Sequence, residues 1–354
     1  MNNKKVIDEV FWIRAVSCLA VVMVHAVYKG LEQNGPHVSQ VEEYILIAVR
    51  FAAFFGTPAF IFISELLLAY AYPRGLPRGF FRKRVIFLLA PFISISVLYA
   101  IAAASTWQEA GRNALLNVFA GNFTTYFILV IFQFYILHML FHRLLARCNP
   151  WLMLTIALMM TVSYLGYFNL TEPPPGDVWA YIWNRGHWLG IPGWVFYFVL
   201  GYYAGASYDV IKQRLRKMKP WVIVFPLGSL LLVFLLVRFE IIDTVSSKRI
   251  DNIAYTVGMI VLLAWIAQRV TRVPAFILTI SAYSFQIYLL HRFILLWLPH
   301  MEALPIIVYT LLAAVLAVLG SMLITFLLGF VPGSYYIIGK KLPVPYRSRP
   351  IERK

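Results

Sequence analysis

Apolar residues run along this chain in long blocks broken by Pro, Gly or clustered charge. Ten blocks stand out, at about 10–29, 44–71, 85–105, 124–144, 151–168, 190–208, 220–238, 252–269, 276–297 and 306–330. A helix needs about 20 residues to cross the hydrocarbon core of a bilayer, and the blocks are near or above that length. Lipid cannot satisfy an open backbone, and blocks of this length do not suit barrel strands, so helix is the predicted conformation. The first block holds Arg14 and His25, and no small-residue cleavage site follows it. It therefore reads as a permanent helix rather than a signal peptide. The expected fold class is an all-α integral membrane protein, a bundle of about ten transmembrane helices with both termini cytoplasmic. The whole chain, 1–354, reads as one transmembrane domain with no appended soluble domain.

Composition sharpens this picture. The chain is 61% hydrophobic and only 13% charged, with a mean hydropathy of +0.75. A soluble domain averages roughly 25% charged residues, so too little polar surface is present to solvate a globule of this size. The net charge of +16 excludes little until its distribution is read. The even connections carry Arg74, Arg78, Arg82, Lys83 and Arg84, then Arg143 and Arg147, then Lys212, Arg214, Arg216, Lys217 and Lys219, then Arg269 and Arg272. Lys4 and Lys5 at the start and Lys340, Lys341, Arg347, Arg349, Arg353 and Lys354 at the end belong to the same side. The odd connections hold only Lys29, Arg112, Arg185, Arg238, Lys248 and Arg249. This alternation is a membrane orientation signal, not a nucleic-acid surface, and it places both termini inside. No nucleic-acid partner is expected. Cys18 and Cys148 suggest neither a disulfide framework nor a metal cluster.

Ionisable residues inside a span are costly and usually functional. Arg14 and His25 lie 11 residues apart in the first block. That is close to three helical turns, so both face one way, about 16 Å apart along the axis. The face presents a fixed cation near the inside, suited to phosphate, and a titratable base farther out, suited to taking a hydroxyl proton. Lipid snorkelling by Arg14 and a structural hydrogen bond from His25 explain the pair equally well. His291, followed by Arg292 in the ninth block, should lie at a depth similar to His25. Glu65, after Ser64 in the second block, should lie near Arg14, where an ion pair is expected. Gly56 and Pro58 predict a kink in that block. Gln133 and Tyr135 offer hydrogen bonds to a cavity or to a neighbouring helix. His138 and His142 read as interface or lipid contacts. The basic stretch Arg78 to Arg84 suits anionic lipid as an orientation signal, or a polyanionic donor such as a coenzyme. The external connection near Asn169 to Gly190, with Pro173, Pro174 and Pro175, reads as an ordered loop.

Several of these stretches, taken in order, resemble one family. Arg14 followed by ten residues and His25, the Arg82–Lys83–Arg84 stretch leading to Pro91, and Ser281–Ala282–Tyr283–Ser284–Phe285 through Tyr288–Leu289–Leu290–His291 are similar to motifs of the acyltransferase-3 family of bacterial membrane acyltransferases. Phe55–Gly56–Thr57–Pro58, Gln133–Phe134–Tyr135–Ile136–Leu137 and Gly193–Trp194–Val195–Phe196–Tyr197–Phe198 resemble its intercellular adhesion protein C branch. Glu65 stands where many members have glycine.

The resemblance implies a multi-pass protein of the bacterial cell membrane that O-acylates a cell-surface polysaccharide, such as the poly-N-acetylglucosamine of a biofilm. The donor would be cytoplasmic acyl-coenzyme A, carrying acetyl or succinyl, with no tightly bound cofactor and no metal. His25 and His291 are the expected catalytic residues. Arg14, Arg82, Lys83 and Arg84 would bind the coenzyme, and Ser64, Glu65, Gln133 and Tyr288 would support the site or touch substrate. The bilayer, the donor, the glycan and a polysaccharide synthase complex are the expected partners. The rival function is export of the exopolysaccharide, for which ten helices with buried charges are equally suitable.

Overall fold

A computed structural model describes residues 7–34, 38–301 and 303–342. Lys4, Lys5 and the tail cations Arg347, Arg349, Arg353 and Lys354 lie outside the described residues. Helix α1 (Asp8–Asn34) is followed by α2 (Gln40–Ala53) and α3 (Gly56–Ala71). Then α4 (Phe80–Arg84), a π-helical turn at Val85–Leu89 and α5 (Ala90–Ala103) form one continuous stretch. Next come α6 (Trp107–Phe119), α7 (Phe127–Leu145), α8 (Pro150–Leu170), α9 (Asp177–Asn184), α10 (Val195–Ala206) and α11 (Tyr208–Lys217). The chain continues through α12 (Val224–Arg238), α13 (Asn252–Ala267), α14 (Ala275–Trp297), α15 (Ile306–Leu328) and α16 (Tyr335–Ile338). No strand occurs among the described residues.

Each of the ten predicted spans falls on a helical stretch. Among the described residues, seven stretches are long and apolar enough to cross a bilayer, Gln40–Ala71 and Phe80–Ala103 among them. The apolar helices α10 and α13 are shorter. α14 has the length, 23 residues, but carries Ser281, Ser284, Gln286 and His291 in its buried face. Polarity is thus inverted relative to a soluble bundle. α15 turns Leu311, Val315, Leu319, Leu323 and Phe326 outward and buries Thr310, Ser321 and Thr325. α8 likewise exposes Leu152, Met159 and Met160. Apolar exteriors and polar interiors are what a lipid solvent selects. The protein is an all-α integral membrane protein.

α1 is the spine of the bundle, in contact with α2, α3, α13, α14 and α15. α3 adds contacts to α7 and α10. Lipid tails are as apolar as Leu, so close packing rather than hydrophobicity must hold such helices together. The α3–α10 seam shows how: a Cβ built on Gly201 would come within 2.8 Å of Phe62 O, and one on Gly205 would run into Leu66 O. Two glycines four residues apart therefore let the backbones touch.

The expected kink in the second block is a two-residue interruption of the helix. α2 ends at Ala53, Phe54 and Phe55 form a turn, and α3 restarts at Gly56. Three helices lie in segments that had read as connections. α6 is capped by Thr106, whose hydroxyl accepts from Glu109 N. It packs back on α5, with Asn117 Nδ2 donating to Ser96 O at 3.2 Å. α9 sits inside the Pro-rich external connection, and α11 carries the basic residues of the third cytoplasmic loop. α6 and α11 were missed because each is amphipathic and less than a membrane span long.

Candidate active site

α1 is unbroken from Asp8 to Asn34, so Arg14 and His25 keep their three-turn relation. Each opens into a different cavity. Arg14 lines one of about 910 Å³, together with Arg84, Lys340, Lys341, Ser64, Tyr72 and Tyr135. In the orientation expected from the basic loops, this is the inner cavity. The π-helical turn shapes its wall: Ala90 N donates to Val85 O, five residues back, just before Pro91, which has no N–H to give. That wider turn carries Phe87 and Leu88 into the lining. Arg84 stacks over Phe80 and Tyr135, with its guanidinium carbon 4.9 and 5.6 Å from their ring centres.

Here the expected donor cluster divides. Arg84 lines the cavity, whereas Arg82 and Lys83 are exposed and lie outside the lining. A five-residue helix cannot aim three consecutive side chains one way, since each step turns about 100°. Lys340 and Lys341 supply the other two cations instead. From the sequence they read only as orientation charges, because nothing in a C-terminal basic pair says that it folds back beneath the bundle. Leu342 N donates to Ala282 O at 3.1 Å, which anchors that return on α14.

His25 lines a second cavity of about 390 Å³, on the outer side. Four cations share its lining: Arg50 from α2, Arg185 from the external connection, Lys248 from the loop before α13, and Arg292 from α14. The outer loops place two of them through aromatic and amide contacts. Arg185 Nε donates to Asn122 Oδ1 at 3.1 Å and its Nη2 to Asn122 O, and the guanidinium lies 4.2 Å from the Trp188 ring centre. Lys248 Nζ lies 3.3 Å from the Trp188 ring centre and 4.8 Å from that of Tyr126. Burial, and then the Arg185 charge, push the Lys248 ammonium well below its ordinary pKa. Arg292 Nη2 donates to Tyr99 Oη at 3.2 Å. None of the four had been singled out as a site residue. A signal was present, though: Arg185 and Lys248 are two of the few cations on the side that the orientation rule leaves sparsely basic.

His291 is fully buried behind His25, with the ring centres 5.3 Å apart. Its Nδ1 bonds to Ile287 O at 3.0 Å, and Nε2 makes no hydrogen bond. Tyr288, one turn earlier, lines both cavities. Its ring meets Phe127 at 4.1 Å and Phe60 at 5.6 Å between centres, and its hydroxyl lies 3.2 Å from Thr57 Oγ1. A wall of three aromatic rings therefore separates the Arg14 cavity from the His25 cavity.

Glu65 does not pair with Arg14. Its Oε1 lies 2.6 Å from His138 Nδ1, and both side chains are fully buried. Glu65 faces α7, against the direction of α1, so the carboxylate holds α3 to α7. His138 is accordingly an interior residue, not a lipid contact. His142 is half-buried, its ring centre 5.5 Å from that of His138. Gln133 Nε2 donates to Leu189 O at 2.9 Å, which ties α7 to the external connection rather than to either cavity. Ser64 lines the inner cavity while its hydroxyl donates to Ile61 O at 2.7 Å. The external connection is ordered, as expected: Trp194 Nε1 donates to Trp188 O at 2.7 Å and Tyr164 Oη to His187 O at 2.9 Å.

Fold and cavities together define a multi-pass membrane protein whose bundle is entered from both sides, with cations on each side of one aromatic wall. Comparison with known proteins gives this class its family. The family described as an acyltransferase domain, acyltransferase family 3, matches residues 7–329. The chain belongs to that family and is a bacterial membrane acyltransferase. It is 36% identical over 349 residues to the Bacillus subtilis protein named "Putative membrane-bound acyltransferase YfiQ", covering 94% of each chain. It is also 28% identical over 296 residues to a Staphylococcus aureus protein named "Probable poly-beta-1,6-N-acetyl-D-glucosamine export protein", covering 82% of this chain and 83% of that one. A Staphylococcus epidermidis protein of the same name is 29% identical over 290 residues, 81% of each. No solved structure matches the chain.

Proposed function

We propose that this acyltransferase moves an acetyl or succinyl group from cytoplasmic acyl-coenzyme A to a hydroxyl of a cell-surface polysaccharide. The observation that carries the reading is that one face of α1 presents Arg14 to the inner cavity and His25 to the outer one, with Tyr288 as their common wall. The coenzyme's phosphates match Arg14, Arg84, Lys340 and Lys341, because guanidinium and ammonium groups form strong charge-assisted bonds to phosphate. Its thioester arm passes the wall as the Tyr288 ring turns aside, which brings the acyl carbonyl to His25 in the outer cavity. The acceptor hydroxyl enters the outer cavity and gives its proton to the His25 imidazole as its oxygen attacks the thioester carbonyl carbon. When the tetrahedral intermediate collapses, the carbon–sulfur bond breaks and the coenzyme thiolate takes the proton back from His25. Arg292 is placed to stabilise negative charge on the carbonyl oxygen, and His291 packs the His25 ring in position. The dry wall of Phe60, Phe127 and Tyr288 keeps water from the thioester.

The export reading, suggested by the names of the staphylococcal relatives, calls for a polar path through the bundle. Three packed aromatic rings at mid-path favour group transfer. The test is thioester consumption by the purified protein with glycan supplied. His25→Ala and His25→Gln should each lower transfer by a hundredfold or more, as expected for loss of a general base, while coenzyme binding persists. Near-normal transfer by His25→Gln would reduce His25 to a packing residue, and no thioester consumption by the wild type would leave export as the function.

A further inference from the structure

Acyl transfer to a sugar hydroxyl requires one base and one or two donors for the developing oxyanion. The outer cavity holds more than that. Arg50, Arg185, Lys248 and Arg292 all line a space of about 390 Å³, and no Asp or Glu among the described residues lines it. The ion pairs among the described residues are Glu65 with His138, Glu9 with Lys212 and Asp251 with Arg249, so none engages these four cations. The carboxylate nearest Lys248 in sequence is already taken: Arg249 grips Asp251 through Nε at 3.0 Å and Nη2 at 2.6 Å. Arg50 Nε is buried without a hydrogen-bond partner, and Lys248, 6% exposed, rests against aromatic rings.

Three guanidiniums and the Lys248 amine, whose proton burial disfavours, converge on one cavity; buried charges require compensation, and an anion there would also restore the Lys248 proton. The donor's phosphates cannot provide that compensation, because their cations lie beyond the Tyr288 wall. A neutral sugar polymer would leave these groups unpaired, and an amino-sugar polymer would add positive charge. Guanidinium forks match planar carboxylates and phosphates. We infer that the outer cavity is an acceptor site for an acidic glycan: the acylated sugar, or its neighbour, carries a phosphodiester or carboxylate group held by Arg50, Arg185 and Lys248, with Arg292 left to the oxyanion. The inference rests on the reading of this cavity as the acceptor site. It gives the acceptor a charge that the N-acetylglucosamine polymer named for the staphylococcal relatives does not have.

The test measures binding to the full-length protein in lipid nanodiscs without donor, so it does not depend on turnover. The probes are a glycerol-phosphate oligomer, a galacturonate oligomer and a neutral β-1,6-N-acetylglucosamine oligomer of equal length. The acidic oligomers should bind at least about tenfold more tightly than the neutral one, with affinity falling as salt rises. The tighter of the two tells phosphate from carboxylate. Lys248→Gln combined with Arg185→Gln should weaken acidic binding on the order of tenfold to a hundredfold, the range for lost hydrogen bonds to charged groups. Lys248→Arg, which keeps the charge, should retain it. Equal binding of the neutral oligomer, or acidic binding unchanged by the double substitution, overturns the inference. So does turnover that prefers succinyl- to acetyl-coenzyme A but is indifferent to acceptor charge, because the cations would then serve the acyl group. Tight acidic binding with no acyl transfer to any oligomer would instead sink the acyl-transfer reading and leave the acidic site standing.

Discussion

Replacing Tyr288 with Ala tests whether the wall between the cavities keeps transfer coupled. The ring is buried and packs against Phe127 at 4.1 Å, Phe60 at 5.6 Å and His291 at 5.8 Å between centres. Truncating a buried aromatic to Ala typically costs about 3–5 kcal/mol, part of it from aromatic pairs worth roughly 0.5–1.5 kcal/mol each. The site cannot collapse to recover this loss, because it borders open space on both sides. The gap instead joins the cavities of about 390 and 910 Å³. Water then gains a path from the outer face to the thioester. The expected result is a less stable protein that still folds and binds coenzyme, but hydrolyses acyl-coenzyme A with no glycan present. Tyr288→Phe keeps the wall and gives up only the hydroxyl contact with Thr57, 3.2 Å away, so it should cost about 1 kcal/mol and stay coupled. The assay is thioester cleavage with and without acceptor, alongside thermal unfolding. Thioester cleavage by Tyr288→Ala that still depended fully on acceptor would refute the argument.

Three further outcomes are expected. Replacing Arg84, Lys340 and Lys341 with Gln should weaken coenzyme binding in a titration, Arg84 most, since a lost charge-assisted bond is worth about 1.5–3 kcal/mol and the exposed Lys340 and Lys341 are screened to less, whereas Arg82→Ala with Lys83→Ala should change it little, because neither lines the cavity; equal losses would return Arg82 and Lys83 to the site. Glu65→Ala should lower thermal stability by about 1–3 kcal/mol, the usual cost of leaving a buried hydrogen-bonding group unsatisfied, and Glu65→Gln by less, since it still offers His138 a partner; wild-type stability in Glu65→Ala would show that this contact does not hold α3 to α7. His187, buried against Phe168 in the external connection, has its pKa lowered to about 4, chiefly by burial. The folded state therefore resists a proton that the unfolded chain accepts near pH 6.5. Stability is complete above that pH and falls by up to about 3 kcal/mol as pH drops from 6.5 toward 4. His187→Phe should flatten that slope in unfolding measurements across the interval, and an unchanged slope would assign it to another group.

What the sequence made legible follows from how local each signal is. A membrane span is written in consecutive residues, so block length alone placed ten helical stretches. The relation of Arg14 to His25 was legible because both sit on one helix, where spacing fixes facing. Contacts between helices are written nowhere in the order of residues. Glu65 was expected beside Arg14 on depth, but depth leaves azimuth open, and α3 turns that carboxylate toward His138 on α7. Lys340 and Lys341 reach the inner cavity only through the return of the chain beneath α14. The outer cations come from four separate segments, and only the finished bundle brings Arg50, Arg185, Lys248 and Arg292 around His25.

Two of the departures from regular helix show why these cavities lie where they do. Irregular backbone is tolerated at membrane depth only where protein or a water-filled cavity can satisfy it. The turn at Phe54 and Phe55 places Phe54 and Thr57 in the outer cavity, and the π-helical turn at Val85–Leu89 places Phe87 and Leu88 in the inner one. One irregularity therefore serves each side of Tyr288. α1, which must carry a cation to one side and a base to the other, stays regular throughout. Its position against α3 is set at Gly56, where a Cβ would fall 2.8 Å from Ser17 O and 2.9 Å from Val21 Cγ2. Val21 lies about one turn before His25 and lines the same cavity. The glycine that restarts α3 after the break thus also sets how closely the base-bearing face of α1 approaches the wall. A side chain there would displace α1 as a rigid rod, moving Arg14 and His25 together rather than either one alone.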